Sequence, residues 1–223
     1  MIHNKSIILL SGGLDSLVCA GLCHDNYNIE LALTFDYGQK SVQNEIKASK
    51  KICKHYNIKN HKVIKLDWMK DITASAIVSD KVLPKGIISD KSLESVWVPN
   101  RNGLFLNIAA AFADSDNYSH IIIGANREEA ETFPDNSDIF IRRLNAAFEY
   151  STRVKPKVLT PLIKYDKNDI VRVALENSVP LDLAYSCYDS KKEHCGECES
   201  CLRFIKALEN NNDTYYKKLI FKK

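Results

Sequence analysis

A chain of 223 residues has room for one full-size domain and a small appendage. Its composition, 45% hydrophobic and 26% charged, is that of a soluble globular protein with a sizeable core. The 31 basic and 28 acidic residues leave a net charge of +3. Outside the Lys222-Lys223 end there is no dense basic block, which argues against direct binding of nucleic acid. No apolar run reaches the length of a membrane span, and Met1–Ser6 lacks the apolar core of a signal peptide. A cytoplasmic protein with no membrane partner is expected.

Lys5–Leu10, rich in Ile and Leu, is expected as a buried strand. Leu14–His24 follows with apolar residues at helical spacing, and Glu30–Phe35 is the next strand, ending in Asp36-Tyr37-Gly38-Gln39. Ser41–Tyr56 places Val42, Ile46, Ser49, Ile52 and Cys53 on one helical face, and His61–Leu66 is a third strand. Residues 67–98 break this rhythm with mixed polarity, Pro84 and Gly86, and Pro99 follows, so an insertion spanning roughly 67–100 is expected. Gly103–Ala113 is an Ala-rich helix and Ser119–Gly124 a fourth strand. Ile139–Ser151 is helical, and Val158–Leu162, closed by Pro161, is the fifth strand. Asp166–Asn177 is a helix with Asp166 as N-cap and Pro180 as a stop, and Leu202–Glu209 is the last helix. The alternation predicts an α/β fold, an open parallel five-stranded sheet with helices on both faces.

Ser11-Gly12-Gly13-Leu14-Asp15-Ser16 lies where the first strand hands over to the first helix. Ligands of open parallel sheets bind at the carboxyl ends of the strands. Gly12 and Gly13 let the backbone bend and approach phosphate oxygens, and free N–H groups with the helix dipole attract an anion. Ser11 and Ser16 add hydroxyl donors. A carboxylate at Asp15 makes sense beside phosphate through Mg²⁺, which bridges the two. The absence of a following Gly-Lys-Ser/Thr excludes a Walker A loop.

The seven cysteines fall into two groups. Cys19, Cys23 and Cys53 occupy apolar helical positions and are expected in the core. Cys187 and then Cys195-Gly196-Glu197-Cys198-Glu199-Ser200-Cys201 carry the spacing of a structural Cys₄ zinc site, one ion per chain. The ion would pin a C-terminal segment too short to build its own core, which suggests a domain at 1–180 and a zinc-binding helical module at 181–223. His194, able to replace one thiolate, is expected rather as a solvated loop residue, and an iron–sulfur cluster stays open as the alternative occupant, although nothing demands redox chemistry.

The glycine-rich loop resembles that of the N-type ATP pyrophosphatases, which cleave ATP between the α and β phosphates and adenylate an oxygen of their substrate. Several further motifs follow in order: Thr34-Phe35-Asp36-Tyr37-Gly38-Gln39, Val98-Pro99-Asn100-Arg101-Asn102, Gly124-Ala125-Asn126, Phe133-Pro134-Asp135 and Ser186-Cys187-Tyr188. With the cysteine cluster, over nearly the whole length, they resemble the 7-cyano-7-deazaguanine synthase family of the queuosine and archaeosine pathways. Many members have Gly where this chain has Asn100, and Asn tolerates a positive φ. The resemblance implies an adenine nucleotide alpha hydrolase-like, Rossmann-like fold. The implied activity is that of a carbon–nitrogen ligase converting 7-carboxy-7-deazaguanine and ammonia to the nitrile with two ATP and Mg²⁺, and a homodimer is compatible with it.

On this resemblance the nucleotide is expected at Leu10, Ser11, Gly12, Gly13, Leu14, Asp15, Ser16, Leu17 and Val18, with Asp15 and Ser16 also catalytic. Arg101 is a candidate clamp for carboxylate or phosphate, and Lys164, with Lys167 beside it, a candidate partner for pyrophosphate. Asn102, Glu128 and Asp135 are the substrate-binding candidates, either acid being able to accept from a guanine-like N–H edge. No segment precedes the first strand to house a glutaminase, so free ammonia is the expected nitrogen donor. Three alternatives stay open: a ligase that stops at the amide or uses another amine, a tRNA-modifying relative, and a zinc-bearing nucleic-acid binder.

Overall fold

In the computed structural model, which describes residues 5–86, 94–189 and 191–221, alternate residues of the central strands enter two separate cores. The strands are β1 (Lys5–Leu9), β2 (Asn28–Asp36), β3 (Asn60–Lys65), β4 (His120–Ile122) and β5 (Lys157–Leu159). All pair in parallel, in the order β3-β2-β1-β4-β5. Ile8 and Leu10 point to one side with Ile29, Ala32 and Ile122, whereas Ile7 and Leu9 point to the other with Leu31, Leu33, Phe35 and Ile121. A sheet apolar on both faces must be covered on both.

The first face packs against α1 (Leu14–Cys23), α2 (Val42–His55), α6 (Lys167–Glu176) and α7 (Glu199–Asn210). The second is covered by α3 (Arg101–Asp116) and α5 (Asp138–Ser151), with the one-turn α4 (Arg127–Ala130) between them in sequence. Cys19, Cys23 and Cys53 are buried in the first core. No helix among the described residues is long and apolar enough to cross a membrane.

Several boundaries differ from the sequence pattern for identifiable reasons. The fifth strand stops at Leu159, because Pro161 has no N–H for the ladder and residues 160–165 turn instead, Ile163 N–H bonding to Thr160 and Tyr165 N–H to Leu162. Helix α3 starts at Arg101, two residues before the expected Gly103, because a distant carboxylate supplies its cap: Asp135 Oδ2 accepts the Asn102 N–H at 2.9 Å. Asn100 precedes it in the left-handed region, φ 49°. Helix α6 is capped as expected, Asp166 and Asp169 closing a capping box. Helix α7 begins at Glu199, so Cys201 is helical, and a short α8 (Tyr215–Ile220) follows that periodicity did not reveal.

The insertion is not a solvent loop. Met69, Ala76, Ile77, Val96 and Val98 are buried, and all except Ala76 join the second core. Lys85 and Gly86 reach the cysteine segment, where Gly86 N–H donates to Glu197 O at 3.0 Å. Its residues 87–93, like Lys222-Lys223 and the first four residues, lie outside those described.

Asn100→Gly is expected to stay within about 1 kcal/mol of wild type in chemical unfolding, since both residues accept positive φ. Asn100→Val is expected to cost about 1–2 kcal/mol more. Equal stability of the Val variant would show that the turn does not need this backbone conformation.

Candidate active site

Strand order reverses between β1 and β4, so the loops leaving their carboxyl ends diverge and open a crevice. One wall is the 11–16 loop after β1 and the other is Gly124-Ala125-Asn126 after β4. A Cβ on Gly124 would lie 3.0 Å from the Asp15 carbonyl carbon, so only glycine lets the two walls touch.

The loop's two glycines have different tasks. Gly12 sits at φ +80°, and a Cβ there would come 2.5 Å from Glu45 O and 2.9 Å from Ala48 Cβ. Its small size serves the packing of α2, and it does not line the cavity. Gly13 does line it, in extended conformation ahead of α1. Ser11 Oγ accepts the Gly13 N–H at 3.2 Å and lies 3.1 Å from Ser16 Oγ, which donates to Gly13 O at 3.0 Å.

Asp15 points into the crevice from the first turn of α1. Lys167 Nζ, at the start of α6, donates to both its oxygens at 2.9 and 2.8 Å, and Asn126 Nδ2 donates to Oδ2 at 3.2 Å. Burial pushes the Asp15 carboxyl up to about 6, against the pull of Lys167. For Lys167 burial works downward, but Asp15 and Glu129 outweigh it and hold the ammonium above its ordinary value. Glu129 is 3.5 Å from the same ammonium. Burial would raise its carboxyl, yet Lys167 and Arg101 bring it below normal.

Arg101 projects from the start of α3, its guanidinium donating to Tyr37 Oη at 3.1 Å. The guanidinium lies 5.8 Å from the Tyr37 ring centroid, and Phe35, stacked on Phe105 at 3.9 Å, and Phe133 line the same cavity. On the α2 side Glu45 lines the cavity, held by Ser41 Oγ and, at 2.8 Å, by Gln39 Nε2.

The four thiols meet. The Sγ atoms of Cys187, Cys195, Cys198 and Cys201 all lie within 4.8 Å of one another, close to the roughly 3.8 Å between sulfurs around a tetrahedral ion with bonds of about 2.3 Å. The N–H groups of Asp189 and Cys195 point at Cys187 Sγ, and those of Glu197 and Cys198 at Cys195 Sγ, at 3.2–3.4 Å. Backbone dipoles so arranged favour thiolates, and the donor set fits a metal ion.

The model of the family described as "Queuosine biosynthesis protein QueC" matches residues 5–212 of this sequence. The chain belongs to the QueC family. It is 44% identical over 218 residues to the 7-cyano-7-deazaguanine synthase of Methanosarcina barkeri, covering 92% of this chain and 94% of that one. It is 46% identical over 214 residues to the synthase of that name from Carboxydothermus hydrogenoformans, covering 93% and 99%. Among solved structures, a 4-thiouridine synthetase–RNA complex with bound ATP superposes with TM-score 0.54 at 18% identity, covering 86% of this chain and 44% of that one. The U34-tRNA thiolase NcsA from Methanococcus maripaludis gives 0.50 at 18%, covering 97% and 69%. At that identity the likeness extends to the fold alone.

In this QueC-family chain, Leu10, Ser11, Gly13, Leu14, Asp15, Ser16, Arg101, Asn102 and Glu128 all line one cavity. Five expected site residues are placed otherwise. Gly12 packs on α2, as above, and Leu17 and Val18 are wholly buried on the core side of α1, because one turn of helix carries them away from the crevice. Lys164 is exposed on the turn before α6 and does not line the cavity, whereas Lys167, one helical step inside the cap, does. Asp135 is buried but spends its carboxylate on the α3 cap. Glu128 reaches the cavity with both oxygens engaged, by Arg203 at 2.8 Å and by the Lys167 N–H at 2.9 Å.

Lys167, expected beside Lys164, lines the cavity, and so do Glu129, Arg203, Glu199 and Tyr188, which the sequence pattern did not single out as site groups. Glu199 is buried, accepts from Tyr188 Oη at 2.9 Å and lies against Arg203. The Glu199/Arg203 spacing of four on a helix was a readable signal; its direction into the cavity was not. His194 is half-buried rather than solvated: its Nε2 accepts the Ser186 N–H at 3.1 Å, and its ring sits between Tyr185 and Phe221.

Lys167→Met leaves Asp15 buried without its ion-pair partner and is expected to lower the unfolding free energy by about 3 kcal/mol. In an Asp15→Asn background the same change is expected to cost much less. Urea unfolding of the four proteins measures this coupling, and simply additive costs would show that the pair does not interact.

Proposed function

We propose that this chain converts 7-carboxy-7-deazaguanine and ammonia to 7-cyano-7-deazaguanine at the expense of two ATP. The observation that carries the reading is the joining, in one cavity, of the glycine-rich loop and Asp15–Lys167 to an aromatic-flanked arginine. The chain holding that cavity is 44% and 46% identical, over nearly full length, to relatives named as this synthase.

The chemistry suits a single site used twice. A carboxylate oxygen is a poor leaving group. It attacks the α-phosphorus of the first ATP, expelling pyrophosphate and giving an acyl-adenylate. Ammonia adds to the carbonyl carbon, AMP leaves with the oxygen, and an amide remains after loss of a proton. The amide oxygen then attacks the second ATP in the same way, and loss of AMP and the nitrogen's protons leaves the C≡N bond. Each step relies on positioning and charge neutralisation.

In this reading the Ser11–Ser16 loop seats the phosphates, Ser11 and Ser16 exchanging their bonds within the loop for phosphate oxygens, and Arg101 holds the substrate carboxylate, with Asn102 beside it. The cavity wall has five carboxylates (Asp15, Glu45, Glu128, Glu129, Glu199) against three cationic side chains (Arg101, Lys167, Arg203). Such a wall repels a polyphosphate unless a cation accompanies it. Mg²⁺ on Asp15 would neutralise the pyrophosphate leaving group, and Lys167, released from Asp15, is placed to assist. Zinc in the Cys₄ site would pin residues 181–223 against the 1–180 domain as a structural ion. Partners are small molecules, and a homodimer is compatible with the reading.

Purified protein incubated with 7-carboxy-7-deazaguanine, ATP, Mg²⁺ and ammonium is expected to yield the nitrile and two AMP per nitrile, read by mass spectrometry. Amide as the sole product would limit the enzyme to one adenylation, and no substrate-dependent AMP would overturn the reading. Asp15→Ala is expected to lower turnover by at least about 10³-fold, as loss of a major electrostatic contributor does, with bound metal unchanged. Stripping the metal with a chelator is expected to lower Tm by at least about 5 °C, about 1–2 kcal/mol for a chain of this size. An unchanged Tm would make the cysteines dispensable for the fold.

A further inference from the structure

The hydroxyls of the phosphate loop are used within the loop, Ser11 and Ser16 bonding each other and the Gly13 backbone. No side chain of α1 or its N-cap caps the helix. The Leu14 amide, one of the first-turn donors, instead finds its acceptor 172 residues away: it donates to Ser186 Oγ at 3.0 Å. The adjacent residue returns a bond in the other direction, Tyr185 N–H donating to Gly12 O at 2.7 Å. Two rungs therefore join residues 12 and 14 to residues 185 and 186.

The far side of this ladder is braced independently of the loop. Ser186 N–H donates to His194 Nε2 at 3.1 Å, and Tyr185 Oη donates to the carbonyls of Asp189 at 2.8 Å and Lys191 at 2.6 Å. Asn44 Nδ2, on α2, donates to the same Lys191 carbonyl at 2.8 Å. Cys187, a member of the thiol cluster, is the next residue after Ser186. Ser186 lines the cavity, and its Oγ would lie only 3.9 Å from a Cβ placed on Gly13. Its hydroxyl is thus fixed by the cysteine segment and delivered to the mouth of the phosphate loop.

We infer that Ser186 is a positioning residue for nucleotide binding: by accepting the Leu14 N–H, its hydroxyl fixes the turn from the loop into α1, the surface on which the phosphates lie, and couples the loop to the cysteine segment. The inference rests on the reading that this loop takes the phosphates of ATP. The loop contacts phosphate alike in the ground and transition states. Losing its alignment therefore weakens binding without slowing the chemical step, which places the effect in KM rather than kcat. One neutral hydrogen bond sets the size, up to about tenfold in affinity.

The test compares wild type, Ser186→Ala and Ser186→Thr for KM of ATP, kcat, KM of the deazaguanine carboxylate and metal content. Ser186→Ala is expected to raise the KM of ATP about 5- to 10-fold, with kcat within about twofold, the other KM unchanged and metal retained. Ser186→Thr, which keeps the hydroxyl, is expected to restore the KM. An unchanged KM of ATP in Ser186→Ala, or a fall in kcat at constant KM, overturns the role of Ser186 alone. A wild type that releases no AMP overturns the functional reading itself.

Should Ser186→Ala fail to fold, hydrogen exchange on the wild type decides. Addition of Mg²⁺ and inorganic pyrophosphate is expected to change exchange in residues 10–17 and 184–189 together. A change confined to 10–17 would refute the coupling.

Discussion

A carboxylate placed in the first turn of a buried helix has to be neutralised, and the ion pair of Asp15 with Lys167 does this across the crevice between two strand ends. The capping box at Asp166 sets where α6 begins, and Lys167, one step inside it, emerges facing Asp15. It draws in Asn126 from the loop after β4 and sets Glu129 on the other side of the ammonium. Burial still lifts the Asp15 carboxyl to about 6, against the pull of Lys167.

Around the pair, the backbone is arranged for close approach. Gly124 allows the β4 loop to touch Asp15, and Gly12 allows α2 to press against the phosphate loop. The C-terminal segment supplies the remaining side. Its helix buries Phe204, Ala207 and Leu208 in the same core as α1, while Tyr185 and Ser186 bond directly to the loop. The cysteine cluster behind them is therefore not remote from the chemistry, although no thiol lines the cavity. The insertion ties into the same region through Gly86 and Glu197, so three segments distant in sequence enclose one site.

Much of this was legible in the residues themselves. The strand–helix alternation, the 11–16 loop, the Asp166 cap and the thiol spacing are local patterns whose physics is carried within a few residues. What proved illegible were roles that depend on where a side chain points. Lys164 and Lys167 are alike as sequence, yet the helix cap turns only the second toward Asp15. Asp135 and Glu128 were read as base-reading acids, and the bonds that each accepts from a backbone amide of another element were not legible. Gly12 was read for its approach to phosphate, and its packing against α2 is a further contact that a sequence pattern does not place.

By itself, then, the sequence determined the layered parallel sheet, the position of the phosphate loop at a strand end and the identity of the thiol set, because hydrophobic period, glycine placement and ligand spacing are short-range. Tertiary structure alone decided which lysine meets Asp15, which acids are spent on capping and that Ser186 reaches the Leu14 amide. Those outcomes depend on the meeting of residues more than 30 apart, and on electrostatics and hydrogen bonding that exist only once the two sides of the crevice are brought together.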